Sequence, residues 1–237
     1  MSGPTSHQAP TVVPAVPSTP AQHGRHDRIL EAATEMLAAG GPDALQMKEL
    51  SQRADVSLAT LYRYFPAKDH VLLAITLNRY ERALARVQAE PPRPGTVRQR
   101  VTAHLMREFR AEQREPRLTG ALYAAISETI RDYREVIERI ERAHLRVIAH
   151  VAAGGGDTLS PARQAALPVV ADVFTAATRR WLAGVSSPAQ ARNEIRIGCY
   201  LLDLPDEVLA AADPADEKNL HEQQGRPGLA VSPPAPG

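Results

Sequence analysis

Between residues 57 and 68 the chain sets Thr60, Tyr62, Arg63, Tyr64 and Lys68 around two apolar positions, Leu61 and Phe65. Leu61 and Phe65 stand four residues apart, so on a helix they share one side and bury it. The hydroxyls, the guanidinium and the ammonium then face a polar partner. Phenolic O–H groups suit phosphate oxygens, and Arg is the commonest bidentate reader of guanine in the major groove. Lys68 opens the following helix, close to where the backbone of a docked duplex would run. The competing reading is that both phenols pack against neighbouring helices and Arg63 is an ordinary solvated charge.

Two short helices and a tight turn are needed to present these groups. Met47, Leu50 and Ala54 recur at three- and four-residue spacing and predict a helix from about Met47 to Ala54. Asp55-Val56-Ser57 is the turn: Val56 plugs the gap between the helices, and Ser57 caps the second by accepting from its free N–H groups. Pro66 stops that second helix. The unit is a helix-turn-helix whose outward face is Leu58, Ala59, Thr60, Tyr62, Arg63 and Tyr64, and double-stranded DNA is its leading partner. Gln46 and Lys48 at the first helix, Ser57 at the cap and Lys68 complete the predicted DNA-contacting set.

The stretch resembles the DNA-binding signature of the tetracycline-repressor (TetR) family of bacterial transcription regulators. The resemblance covers about 60 residues, from His26 to Arg86, including a preceding helix, Arg28–Ala39, ended by Gly40-Gly41-Pro42. Its most specific part is Thr60-Leu61-Tyr62-x-Tyr64-Phe65-x-x-Lys68. It implies phosphate contacts by Tyr62, Tyr64 and Lys68, and an approach to bases near Ser57, Leu58 and Thr60. Two positions depart from the family pattern: Asp55 and Ala59 stand where Gly is usual or frequent. Asp tolerates left-handed backbone better than most residues, so the turn should survive. The Ala59 methyl lies at the groove-facing end, where it suits a thymine methyl. Within the family the chain resembles repressors of sterol and lipid catabolism, through Gln46-Met47, Arg53-Ala54-Asp55-Val56 and Thr60 to Pro66. Fainter echoes are Glu115-Pro116-Arg117-Leu118-Thr119 and Ala171-Asp172-Val173 ahead of Trp181-Leu182. That likeness implies a hydrophobic effector such as a sterol-derived or fatty acyl-CoA thioester.

The chain has 237 residues, enough for one large or two smaller domains with a substantial core. Its 28 basic and 27 acidic residues give a net charge of +1, which argues against sequence-blind coating of DNA. Even residues 25–86 hold nine Lys/Arg against eight Asp/Glu, so affinity must come from a few placed contacts, doubled by dimerisation. A single Cys, Cys199, excludes an internal disulfide and fits a reducing cytoplasm. No stretch approaches the roughly 18 apolar residues of a membrane span, and none has signal-peptide length.

No β pattern is present, so the fold class is all-α: a three-helix head joined by a long helix to a helical ligand-binding and dimerisation domain. The expected divisions are a disordered extension over 1–24, the head over 25–68, the ligand and dimer domain over 69–204, and a mostly disordered tail over 205–237. Predicted helices are Lys68–Ala89, Thr96–Arg114, Pro116–Thr129 and Asp132–Ala153, separated by Pro91-Pro92-Arg93-Pro94-Gly95 and ended by a Gly154-Gly155-Gly156 break. Ser160-Pro161 and Ser187-Pro188 start two more, reaching about Gly184 and Leu204. Val169, Val170, Val173, Phe174, Ala177 and Trp181 on one, with Ile195, Gly198, Cys199 and Leu202 on the other, form apolar stripes. The stripes alone leave a dimer face and a subunit core equally open; the family resemblance implies a homodimer through these two helices. Such a dimer would read an inverted repeat, its heads about one DNA turn of 34–36 Å apart or a multiple of it.

A small-molecule effector pocket is expected among the middle helices, lined by Leu105, Phe109, Leu122 and Tyr123 together with Ile126, Phe174, Thr178 and Trp181. His104 and Arg179 are its candidate polar anchors, and ordinary core packing is the competing account of each position. Enzymes are disfavoured. Glu141-Arg142-Ala143-His144 is one Glu-x-x-His unit where a di-iron bundle needs two, and Arg139, Arg142 and Arg146 around it suggest a solvated face. Neither a catalytic site nor a metal or cofactor is expected. The remaining alternative is a helical protein-binding adaptor that has lost DNA binding.

Overall fold

Hydroxyl side chains start five of the helices. Thr19, Ser57, Thr96, Ser160 and Ser187 each accept a hydrogen bond from the backbone N–H three residues on. At Thr19, Thr96 and Ser187 a Gln in that third position answers back to the cap, closing a capping box. Pro20, Pro161 and Pro188 occupy first helical positions, where a missing N–H costs nothing.

The structure is a computed structural model and describes residues 17–91, 93–129, 132–154 and 158–211. Among these there are ten α-helices and no strand. The head is α1 (Pro20–Gly40), α2 (Met47–Arg53) and α3 (Leu58–Tyr64); the long α4 (Lys68–Ala89) leads out of it. Then follow α5 (Val97–Arg114), α6 (Pro116–Thr129), α7 (Arg134–Ala153), α8 (Pro161–Leu182), α9 (Pro188–Cys199) and α10 (Asp206–Ala210).

The expected boundaries change most at the two ends of the fold. The first helix begins at Pro20 rather than Arg28, inside the stretch expected to be disordered, because Thr19 and Gln22 form a cap there. Most of that stretch, residues 1–16, lies outside the described residues. The last long helix stops at Cys199, and a 3-10 turn, Tyr200–Asp203, and the short α10 carry the fold to Ala210. The expected tail beyond residue 211 lies outside the described residues, as do Pro92, Gly155 and Gly156. Gly154 itself closes α7 in the left-handed conformation, at φ 59°.

Two large apolar cores hold the helices together. One joins the head to the body: Ile29, Leu37, Leu50, Leu61, Phe65 and Val71 pack with Leu118, Leu122 and Ala125 of α6. The other lies among α5, α7, α8 and α9 and contains Leu105, Phe109, Ile148, Phe174, Ile195 and Cys199. Gly198 lets α8 and α9 approach closely, since a Cβ there would meet Val173 Cγ1 at 2.7 Å. A smaller group, Leu73, Ile137 and Ile140, ties α4 to α7. None of the described helices is long and apolar enough to cross a membrane.

Candidate DNA interface and effector cavity

In the head, α2 and α3 sit at helix-turn-helix spacing across a turn that Asp55 makes possible. Asp55 has φ 51°, the left-handed conformation expected from its place where Gly is usual. The Arg28 guanidinium donates to the Ala54 carbonyl at 3.4 Å and ties α1 to that turn. Ser57 accepts from the Thr60 N–H at 3.1 Å and donates to the Thr60 hydroxyl at 2.9 Å, fixing the start of α3. Leu61 and Phe65 are buried in the head core.

Gln46, Lys48, Ser57, Leu58, Ala59, Tyr62 and Arg63 are exposed, and Thr60 is half-buried. Leu58 and Tyr62 stand one helical turn apart on the same face, 40% and 44% exposed. Tyr64 is the correction. Expected outward, it is 3% exposed, beside the His26 and Phe65 rings at centroid distances of 6.1 and 6.4 Å. Tyr64 lies three residues after Leu61 and therefore shares its inward side. Its ring instead supports Arg63, whose guanidinium lies 5.5 Å from the ring centroid. Lys68 is half-buried and donates to the Pro42 carbonyl, bracing the start of α4 against the α1–α2 connection.

Below the head, α4 to α8 line a half-open cavity of about 1350 Å³. Of the residues named from the sequence, Leu122, Tyr123, Ile126, His104 and Arg179 line it. Leu105, Phe109, Phe174, Thr178 and Trp181 do not. On α5 the residues at 105 and 109 turn toward α8 and α9, while 104, 108 and 112 turn to the cavity. Phe109 and Phe174 are fully buried in the second core, and Trp181 packs edge-on against Phe109 at 5.3 Å. Thr178 is completely buried behind the wall.

Two chemistries divide the lining. Arg82 and Arg86 of α4, Arg93 of the following loop and Arg107 of α5 give one part a basic character. Arg93 pairs with Glu90 at 2.7 Å, and Arg82 reaches out of the cavity to Glu31 of α1 at 3.4 Å. Arg86 and Arg107 make no ion pair among the described residues. Burial and the neighbouring Arg93 pull the Arg107 guanidinium below its ordinary pKa.

Elsewhere the wall carries a buried titratable cluster. The Glu108 carboxyl lies 3.5 Å from His104 Nε2 and 3.6 Å from His144 Nε2. Burial alone would raise the Glu108 pKa; interaction with His144, then His104, outweighs this and holds it well below the usual carboxylate range. Glu112, one turn on, is pushed up to about 8 by burial and by the charge of Glu108. Its Oε1 accepts from the Tyr123 hydroxyl at 3.2 Å. Tyr80 stacks on His144 with ring centroids 4.5 Å apart.

A family model described as bacterial regulatory proteins, tetR family, matches residues 29–75, which span most of α1 through the first third of α4. The HTH-type transcriptional repressor KstR of Rhodococcus jostii is 32% identical over 186 residues, covering 78% of this chain and 85% of that protein. The chain belongs to the TetR family. A TetR transcriptional regulator from Rhodococcus sp. RHA1, solved by crystallography, superposes with a TM-score of 0.67 at 27% identity, over 77% of this chain and 97% of that one. Thermus thermophilus FadR, a TetR-family repressor solved in complex with lauroyl-CoA, shares the fold with a TM-score of 0.55 at 18% identity. That superposition covers 90% of this chain and 99% of FadR.

This TetR-family chain is thus a DNA-binding transcription regulator rather than an enzyme. Sequence reasoning missed Tyr80, Glu108, Glu112 and His144. A signal existed on α5, where His104, Glu108 and Glu112 recur every four residues beside the apolar stripe of Val101, Leu105 and Phe109. His144 was hidden by its neighbours: Arg139, Arg142 and Arg146 are solvated as expected, yet His144 points inward and is buried.

Proposed function

We propose that the protein is a homodimeric repressor that holds an inverted-repeat operator until an amphipathic anion enters the cavity. One observation carries this reading. Helix α6 belongs to the head core through Leu118, Ala121 and Ala125, and it lines the cavity with Thr119, Tyr123 and Ile126. A ligand that displaces the cavity face of α6 must therefore displace the head. Two polar links run alongside: Arg117 of α6 donates to the Ala39 carbonyl of α1 at 2.6 Å, and Arg82 pairs with Glu31.

The effector class follows from the lining. Leu122, Ile126, Ile137 and Ile140 offer an apolar body room, and Arg86 and Arg107, which make no ion pair among the described residues, favour an anionic end. A cavity of about 1350 Å³ exceeds what most drug-sized ligands need, roughly 300–1,000 Å³. Long-chain acyl-CoA thioesters combine these properties, and the lauroyl-CoA in Thermus FadR exemplifies the class.

Dimerisation is assigned to the outer faces of α8 and α9. Most of the apolar stripe foreseen there, including Val170, Phe174, Ile195 and Cys199, is subunit core. What remains exposed is Val169 on α8, Val185 in the connection, and Ile197 and Tyr200 at the end of α9. Exposed apolar side chains spread along the α8–α9 hairpin suit an isologous contact. The protein acts in the cytoplasm, and Gln46, Lys48, Ser57, Leu58, Ala59, Thr60, Tyr62, Arg63 and Lys68 make the DNA contacts.

Selection of bound sequences from a random duplex pool tests the first half. Enrichment of an inverted repeat is expected; folded protein that enriches nothing would overturn it. A gel-shift titration of the selected duplex with lauroyl-CoA tests the second half, with release expected.

A further inference from the structure

The cluster on α5 and α7 is costly to bury, and it is not closed upon itself. At 3.5 and 3.6 Å both imidazoles stand just outside ordinary hydrogen-bond range of Glu108. His104 Nε2 and His144 Nε2 have no hydrogen-bond partner in the structure, and neither do Glu112 Oε2 or the Thr178 hydroxyl behind it. His144 and Glu112 are more than nine-tenths buried, and both line the cavity with Glu108 and Tyr123. Buried polar groups are ordinarily satisfied, so a partly satisfied network on a cavity wall points to a ligand group that completes it.

We infer that this wall is a hydroxyl-binding subsite, where Glu108 accepts the hydrogen of a ligand alcohol and His144 and Glu112 surround its oxygen with donors. This rests on the reading of the cavity as the effector chamber and narrows the effector to amphipathic anions with a hydroxyl on the apolar body. The chemistry selects among polar groups. Glu108 is held ionised and can only accept, whereas Glu112 is neutral at pH 7; its Oε1 accepts from Tyr123, and the proton on its other oxygen, with the Thr178 hydroxyl nearby, can be given to a ligand. An alcohol both donates and accepts, so it satisfies both. A ketone only accepts and turns its lone pairs on the carboxylate. A methyl group leaves every polar group unpaired, the situation in which a site built for hydrogen bonds discriminates most. An ammonium would meet Arg79, which acts on the same Glu112 carboxyl.

Three fragments of one ring size test this on the full-length protein: cyclohexanol, cyclohexanone and methylcyclohexane. Each is titrated while the methyl resonances of Leu122, Ile126 and Ile140, all on the cavity wall, are followed. Cyclohexanol should bind about tenfold tighter than either analogue, the scale of one hydrogen bond to a charged group. Glu108→Leu should erase that preference and leave methylcyclohexane binding unchanged or stronger. Equal binding by the three in the wild-type protein, or binding by none at millimolar concentration, overturns the subsite without reference to any variant. The two readings also fail separately. A hydroxyl preference in protein whose operator complex ignores lauroyl-CoA sinks the acyl-CoA effector and keeps the subsite. Operator release by lauroyl-CoA with no hydroxyl preference does the reverse.

Discussion

Tyr64 and Arg63 are adjacent in sequence and opposite in environment, and the difference is measurable. The Tyr64 hydroxyl is buried without a hydrogen-bond partner. Tyr64→Phe removes an unsatisfied polar atom, so it should leave operator affinity unchanged and raise stability by up to about 1 kcal/mol. Arg63→Ala should instead weaken operator binding by about 1–3 kcal/mol with little change in melting. A phosphate contact by Tyr64 would show as a loss of affinity in the Phe variant. Glu112 makes a second prediction through pH. Its folded carboxyl keeps the proton up to about pH 8, whereas an unfolded Glu loses it near pH 4.3. Between those values the folded state binds more protons, so stability falls as pH rises through this window. Thermal melts at pH 6 and pH 8 should show a larger drop for the wild-type protein than for Glu112→Gln. The outward polar face of α3 was legible because hydroxyls and Arg flank Leu61 and Phe65. Burial of Tyr64 was not, because phenols suit a phosphate and a core equally well.

At the scale of elements, punctuation carried most of the reading. Pro66, Pro116 and the Ser-Pro pairs at 160 and 187 mark helix ends that the structure keeps, and Lys68–Ala89 and Pro116–Thr129 agree with expectation to the residue. The start of α1 was missed although Thr19-Pro20-Ala21-Gln22 carries a capping box, since five prolines in the first 24 residues suggested disorder. The cavity was harder to read. On α5 two stripes run side by side, and only packing against α8 and α9 decides that Leu105 and Phe109 belong to the core while His104 and Glu108 face inward to open space. The turn between α2 and α3 gives this scale its test. Asp55 at φ 51° should be replaceable by Gly with no loss of stability, while Asp55→Val should cost about 1–2 kcal/mol in chemical denaturation. Equal stability of the Gly and Val variants would mean that the turn relaxes out of the left-handed region.

For the whole molecule the question is how a cavity speaks to a head. The contact between Arg117 and the Ala39 carbonyl is exposed and reaches from α6 across to α1. Arg117→Ala should leave both operator binding and lauroyl-CoA binding intact while reducing the factor by which each weakens the other. Coupling in such systems is typically 1–3 kcal/mol, so a several-fold change is within reach of paired titrations. Unchanged coupling would place transmission in the apolar packing of α6 alone. Nothing in the spacing of residues 116–129 announces this role. Leu118, Leu122 and Ile126 read as an ordinary stripe, and only the fold shows that two bodies share it.

That sharing also bears on how the protein comes apart and how it can be changed. Leu118, Leu122 and Ala125 close the same core as Ile29, Leu50 and Leu61, so the first 90 residues lack a wall that is supplied more than 25 positions later. The head is therefore no exchangeable cassette. Heating should melt it together with the body in a single heat-absorption peak. A new binding specificity would have to be reached by altering single side chains on α3, because transplanting the head onto another regulator would leave its core open on one side.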